Sequence, residues 1–103
     1  YMLSHGVQEM IPKIRMYLST LPIEKAWLFG SCSRGEETST SDVDILVRYI
    51  AGARVSLLGV SRINVGLGRL LDRKVDLIED DCLLSFARES VDKDKILIYE
   101  RTN

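Results

Sequence analysis

Two segments decide the fold: Ala26-Trp27-Leu28-Phe29-Gly30-Ser31-Cys32-Ser33-Arg34-Gly35 and, after a polar run, Ser41-Asp42-Val43-Asp44-Ile45-Leu46-Val47-Arg48-Tyr49. Residues 26 to 29 are a short apolar run ending at a glycine, the pattern of a buried strand entering a turn. From Asp42 to Tyr49 the chain alternates, with Val43, Ile45, Val47 and Tyr49 on one face and Asp42, Asp44, Leu46 and Arg48 on the other. That period of two predicts a strand with one face in the core. Residues 33 to 41 between them are polar and read as a loop, with room for a helical turn opened by Ser31.

Upstream, Val7, Met10, Ile11, Ile14, Tyr17, Leu18 and Leu21 recur at helical spacing, which predicts an amphipathic helix over residues 6 to 19. Pro12 requires either a kink or a regular helix that begins near Ile11, and Pro22 closes the segment. Downstream, Leu57, Val60, Ile63, Leu67, Leu70 and Leu71 predict a second helix between Val55 and Leu71. Gly59, Gly66 and Gly68 weaken it by about 1 kcal/mol each relative to alanine. Lys74 to Glu79 reads as a third strand, Leu83, Leu84, Ala87 and Val91 as a further helix, and Ile96 to Tyr99 as a last short strand. Alternating helices and strands imply an α+β (α/β) architecture, a small mixed sheet with helices packed mainly on one face.

The 103 residues, 46% of them apolar, suit a single domain over 1–103 with one modest core. Tyr1 ahead of Met2 reads as a preparation remnant, with Met2 the natural start. With 14 Lys and Arg against 15 Asp and Glu, the net charge is -1, which disfavours an extended nucleic acid as partner. Cys32, Cys82 and His5 supply neither a Cys-x-x-Cys pair nor a zinc set. No run is long and apolar enough for a bilayer and no secretory pattern opens the chain, so a soluble cytoplasmic protein is expected.

Asp42 and Asp44, two apart on a strand, project from one face and can reach one metal site. Magnesium prefers oxygen ligands and relieves the repulsion between crowded carboxylates. Asp76, between Val75 and Leu77, leaves the apolar face of another strand and meets the first two if the strands are neighbours. Gly30-Ser31 offers backbone N–H groups and a hydroxyl to phosphate oxygens; Arg34 adds positive charge and Gly35 permits the reversal toward the next strand. Each feature alone has a blander reading, as solvated strand face, strand end or loop cation. Their order along the chain is what points to chemistry.

That order resembles the nucleotidyltransferase superfamily, in particular its minimal MNT-type members, whose signature is Gly-Ser, ten residues, then Asp-x-Asp. Here Gly30-Ser31 is followed by residues 32 to 41 and Asp42-Val43-Asp44. Leu28 to Gly35 is similar to the family's Phe-Gly-Ser-x-x-Arg-Gly segment, and Lys74-Val75-Asp76-Leu77-Ile78 to its third-carboxylate strand. The resemblance covers about Val7 to Tyr99 and departs at Ser33, where alanine is common, and in the glycines of the second helix.

By that resemblance Asp42, Asp44 and Asp76 are the catalytic carboxylates and hold two magnesium ions, while Gly30, Ser31 and Arg34 hold the phosphates of a nucleoside triphosphate, ATP. It further implies transfer of AMP to a hydroxyl, a tyrosine of a helical HEPN partner toxin, with the chain acting as antitoxin. Two other readings stay open: a binding module that neutralises its partner by contact, and a standalone enzyme acting on a small molecule or an RNA end. Association into a homo-oligomer also stays open.

Overall fold

The computed structural model describes residues 3–36, 38, 40–83 and 85–102. Helix α1 spans His5–Leu18, opened by Ser4, whose hydroxyl accepts the Val7 N–H at 3.2 Å. Its apolar stripe buries Val7, Met10, Ile14 and Leu18. Pro12 lies inside the helix on an exposed position, and the regular structure begins at His5. The predicted span of 6 to 19 holds to within a residue, and of the two expectations for Pro12 the start near Ile11 is corrected: the serine cap supplies the first turn well ahead of the proline.

Strand β1 is Ile23–Phe29, three residues longer at its start than the apolar run indicates. Glu24 and Lys25 hid that extension, and Lys25 pairs instead with Glu100 at 3.2 Å. A 3₁₀ turn, Gly30–Cys32, follows, with Phe29 at its N-cap and no side-chain cap bond. The turn is opened by Gly30 at φ +72°, not by a Ser31 cap. Strand β2 is Val43–Tyr49 and helix α2 is Leu57–Leu71, capped by Ser56, which accepts the Gly59 N–H at 3.1 Å. Strand β3 is Val75–Glu79, a second 3₁₀ turn covers Asp80–Cys82, helix α3 is Ser85–Asp94 and strand β4 is Ile96–Glu100. Leu83 is extended and precedes α3 instead of lying within it, and Leu84 falls outside the described residues.

The strands order β3-β2-β1-β4, with β1 antiparallel to β2 and β4, and β2 parallel to β3. The sheet is thus mixed. On one face Ala26, Leu28, Val43, Ile45, Val47, Val75, Leu77 and Ile98 meet the apolar sides of α1 and α2. The two helices approach closely at Gly66, where an added Cβ would strike the Tyr17 hydroxyl.

The opposite face of β2 is also partly covered, which corrects the expectation of a single buried side. Leu46 is fully buried there beside its register partner Trp27. The Trp27 ring carries the Arg48 guanidinium at 5.2 Å and the Lys95 ammonium at 4.8 Å. Both distances suit cation–π contact. At the edge of the sheet, β4 has a bulge that leaves Ile98 without a register partner, and Arg15 of α1 donates to the Ile98 carbonyl at 2.6 Å. Among the described residues no helix is long and apolar enough to cross a membrane.

Candidate active site

The parallel register of β2 with β3 sets Asp44 directly across from Asp76. Asp42 precedes Asp44 by two positions, just outside β2, and its Oδ2 lies 3.8 Å from the Lys74 ammonium. Neither Asp44 nor Asp76 has a salt-bridge partner among the described residues. Partial burial pushes the Asp44 carboxyl above the usual carboxylate range, and the charges of Asp76 and Asp42 push it further; Arg34 and Lys74 pull the other way without cancelling the shift. Like charges held together at a desolvated site have this effect.

The glycine turn closes on the same carboxylate. Phe29 pairs with Asp44 across β1 and β2, and a Cβ on Gly30 would collide with Asp44 Oδ2. Only glycine leaves room there, and its positive φ suits glycine as well. Behind the turn, buried Ser33 donates to the Gly30 carbonyl through its N–H at 3.1 Å and its hydroxyl at 2.8 Å. Buried Cys32 lies against β2, with its thiol 3.7 Å from the Asp42 carbonyl, a packing contact as its apolar neighbours suggest. The Ser31 carbonyl accepts the N–H groups of Arg34 at 3.2 Å and Glu36 at 3.0 Å. Arg34 itself donates from Nε to Glu36 at 2.5 Å and from Nη1 to Asp94 at 3.1 Å.

All six residues singled out from the sequence, Asp42, Asp44, Asp76, Gly30, Ser31 and Arg34, therefore come to one end of the sheet, where β1 ends and β2 and β3 begin. Sequence reasoning missed four supporting residues. Lys74 lies two before Asp76, so strand alternation alone placed it on the acidic face. Arg73 fastens the loop ahead of Asp42 by donating to the carbonyls of Thr38 and Ser41. Ser33 and Asp94 gave no local signal, because one acts through a turn and the other from sixty positions away.

The donor set has the chemistry of a divalent-ion site: three carboxylates, two of them without a cationic partner among the described residues, with the Asp44 carboxyl pushed up by its partial burial and by its two acidic neighbours, a repulsion that such an ion relieves. As they stand, no three His, Cys, Asp or Glu side chains among the described residues already form a metal-holding group. Binding would ask for side-chain rotation on strands already in register.

Residues 11–101 match the nucleotidyltransferase domain family. This chain belongs to that family. The nucleotidyltransferase is 39% identical over 72 residues, 69% of its length and 71% of the relative's, to a Methanocaldococcus jannaschii protein provisionally named protein adenylyltransferase MJ0126. It is 32% identical over 94 residues to MJ1217 of the same organism, provisionally given the same name, covering 89% of this chain and 94% of that one. Among solved structures it superimposes on one provisionally described as a minimal nucleotidyltransferase, with TM-score 0.74 and 27% identity over 93% of this chain and 96% of that one. A toxin–antitoxin structure with AMP-PNP gives TM-score 0.77 at 22% identity, covering 89% and 74%, a likeness of fold. The chain is a nucleotidyltransferase, an α+β enzyme with a four-stranded mixed sheet.

Proposed function

We propose that this nucleotidyltransferase, with magnesium, transfers AMP from ATP to a protein hydroxyl, a tyrosine of a helical HEPN partner, and thereby acts as that partner's antitoxin. The observation that carries this reading is the β2–β3 register, which sets Asp44 across from Asp76 while Gly30 brings the phosphate turn against the Asp44 carboxylate. Relatives provisionally named protein adenylyltransferases support the AMP and protein-acceptor parts. Support for the partner comes from a structural neighbour described as a tri-AMPylated Shewanella oneidensis HEPN toxin in complex with an MNT antitoxin, with TM-score 0.72 and 21% identity.

In this reading the N–H groups of Gly30 and Ser31, with the Ser31 hydroxyl, hold the β- and γ-phosphates, and the Arg34 guanidinium balances the negative charge that builds on the leaving pyrophosphate. Asp42, Asp44 and Asp76 would hold magnesium. Bound there, the ion supplies neutralisation of the triphosphate and a lowered pKa for the acceptor hydroxyl. Asp76 takes the acceptor's proton as its oxygen attacks the α-phosphorus.

The test is incubation with α-labelled ATP, magnesium and the product of the adjacent gene. Label on a tyrosine of that product is expected, and Asp44→Asn should lower the transfer rate roughly 100-fold or more. An unlabelled neighbour would sink the acceptor assignment. Full neutralisation of the toxin by a chain lacking all three carboxylates would replace catalysis with contact.

A further inference from the structure

Arg34 is fastened from two sides by residues that no part of the mechanism uses. Glu36 takes its Nε at 2.5 Å, and Asp94, the last residue of α3, takes Nη1 at 3.1 Å. The Asp94 side chain is only 17% exposed, unlike Glu36 at 59%, so the bond to α3 is the sheltered one. Asp94 is held in its turn, because Arg88 on the same helix pairs with the buried carboxylate of Asp80 at 3.1 Å beyond β3. Guanidinium carries five N–H donors in a rigid plane. Two of its nitrogens are engaged here, and Nη2 makes no hydrogen bond among the described residues. The charge stands near enough to the acidic cluster to pull on Asp44.

We propose that Asp94 is a positioning residue for the nucleotide: by fixing the Arg34 guanidinium beside the Gly30-Ser31 turn, it leaves Nη2 already placed for phosphate oxygens. An arginine side chain free in solvent samples many rotamers, and ordering it on binding weakens affinity; an arginine ordered by folding avoids that loss. Asp94 and the incoming phosphate thus use different edges of one plane and do not compete. The last turn of α3 becomes part of the triphosphate site without touching the ligand. This rests on the reading of the Gly30-Ser31 turn as the phosphate seat.

Calorimetric titration with AMP-PNP in magnesium buffer tests it, on the wild type, Asp94→Asn, Asp94→Glu, Arg34→Gln and the Asp94→Asn/Arg34→Gln pair. Asp94→Asn should weaken binding roughly five- to tenfold, with most of the affinity recovered in Asp94→Glu. The double variant should bind no more weakly than Arg34→Gln alone, a non-additivity that simple loosening of α3 does not produce. Unchanged or tighter binding by Asp94→Asn, or losses that multiply in the double variant, would overturn the proposal while a weakened Arg34→Gln upheld the phosphate seat. Arg34→Gln binding like the wild type, or a wild type that takes up no AMP-PNP, would overturn both.

Discussion

Asp44 is under opposed demands, since the proposed magnesium site needs it ionised while burial and two neighbouring aspartates favour its neutral form. Its folded pKa lies above the unfolded value, so its contribution to stability is fully present below the unfolded pKa and lost as pH rises through the folded one. At neutral pH the charged side chain weighs against folding. Asp44→Asn should therefore melt at a higher temperature than the wild type at neutral pH in the absence of magnesium, a gain that fades on acidification; an equal or lower Tm by calorimetry would contradict the electrostatic account. Gly30→Ala belongs to the same spot. Its methyl would meet the Asp44 carboxylate at a φ that strains any side chain, so about 1–2 kcal/mol of stability and nearly all transfer should go together, measured by urea melts and labelled ATP. Both residues were legible, because a glycine after an apolar strand and two carboxylates at strand spacing are local patterns. Their closeness was not, as it depends on Phe29 facing Asp44 across a register no short segment encodes.

Among elements, α3 is held differently from the rest. None of its described side chains is buried, in contrast to α1 and α2, whose apolar stripes enter the core. Among its described residues the contacts that fix it are polar: Arg88 to Asp80 near its start, Asp94 to Arg34 at its end, and Lys95 just beyond it over Trp27. Burial works against ionisation of Asp80, yet the hydrogen bonds from Arg48 and Arg88 outweigh it and keep the carboxyl below its usual range. A depressed pKa contributes stability above the unfolded value that is lost as pH falls through the folded one. Asp80→Ala should cost about 2 kcal/mol, below the full figure for a buried pair because both arginines are partly exposed, and should speed amide exchange in α3. Exchange in α3 as slow as in the wild type would show that another contact holds it. This also explains why α3 was drawn too early in the chain: an apolar period finds helices that bury a stripe, and Leu83 instead continues as extended backbone. Strand β2, by contrast, was read closely, because its alternation reports a core face directly, even though the burial of Leu46 on the other side, beside Trp27 of the paired strand, has no local signal.

For the whole molecule, the α+β class followed from alternating periods, but the strand order β3-β2-β1-β4 did not, since parallel and antiparallel neighbours look alike in sequence. That order puts the two acidic strands side by side and leaves their carboxylates at one end of a sheet whose helical layer is on the other face. The site is thus assembled by the completed fold, and ligand binding should report on folding as a unit. Magnesium with AMP-PNP at about 100 times the dissociation constant should raise global stability by about 2.7 kcal/mol, with EDTA reversing the gain. Asp44→Asn should show little such response, and a shift as large as the wild type's in a thermal melt would count against the carboxylates as the ion's seat.

The guanidinium of Arg15, bonded to the carbonyl that the β4 bulge leaves over, has a consequence for behaviour in concentrated solution. A sheet margin with free backbone acceptors invites a strand from another molecule, and a bulge plugged by a cation offers a poor template for that growth. Arg15→Ala should shorten the time to turbidity on warming, followed by light scattering, with nucleotidyl transfer in the fresh sample untouched.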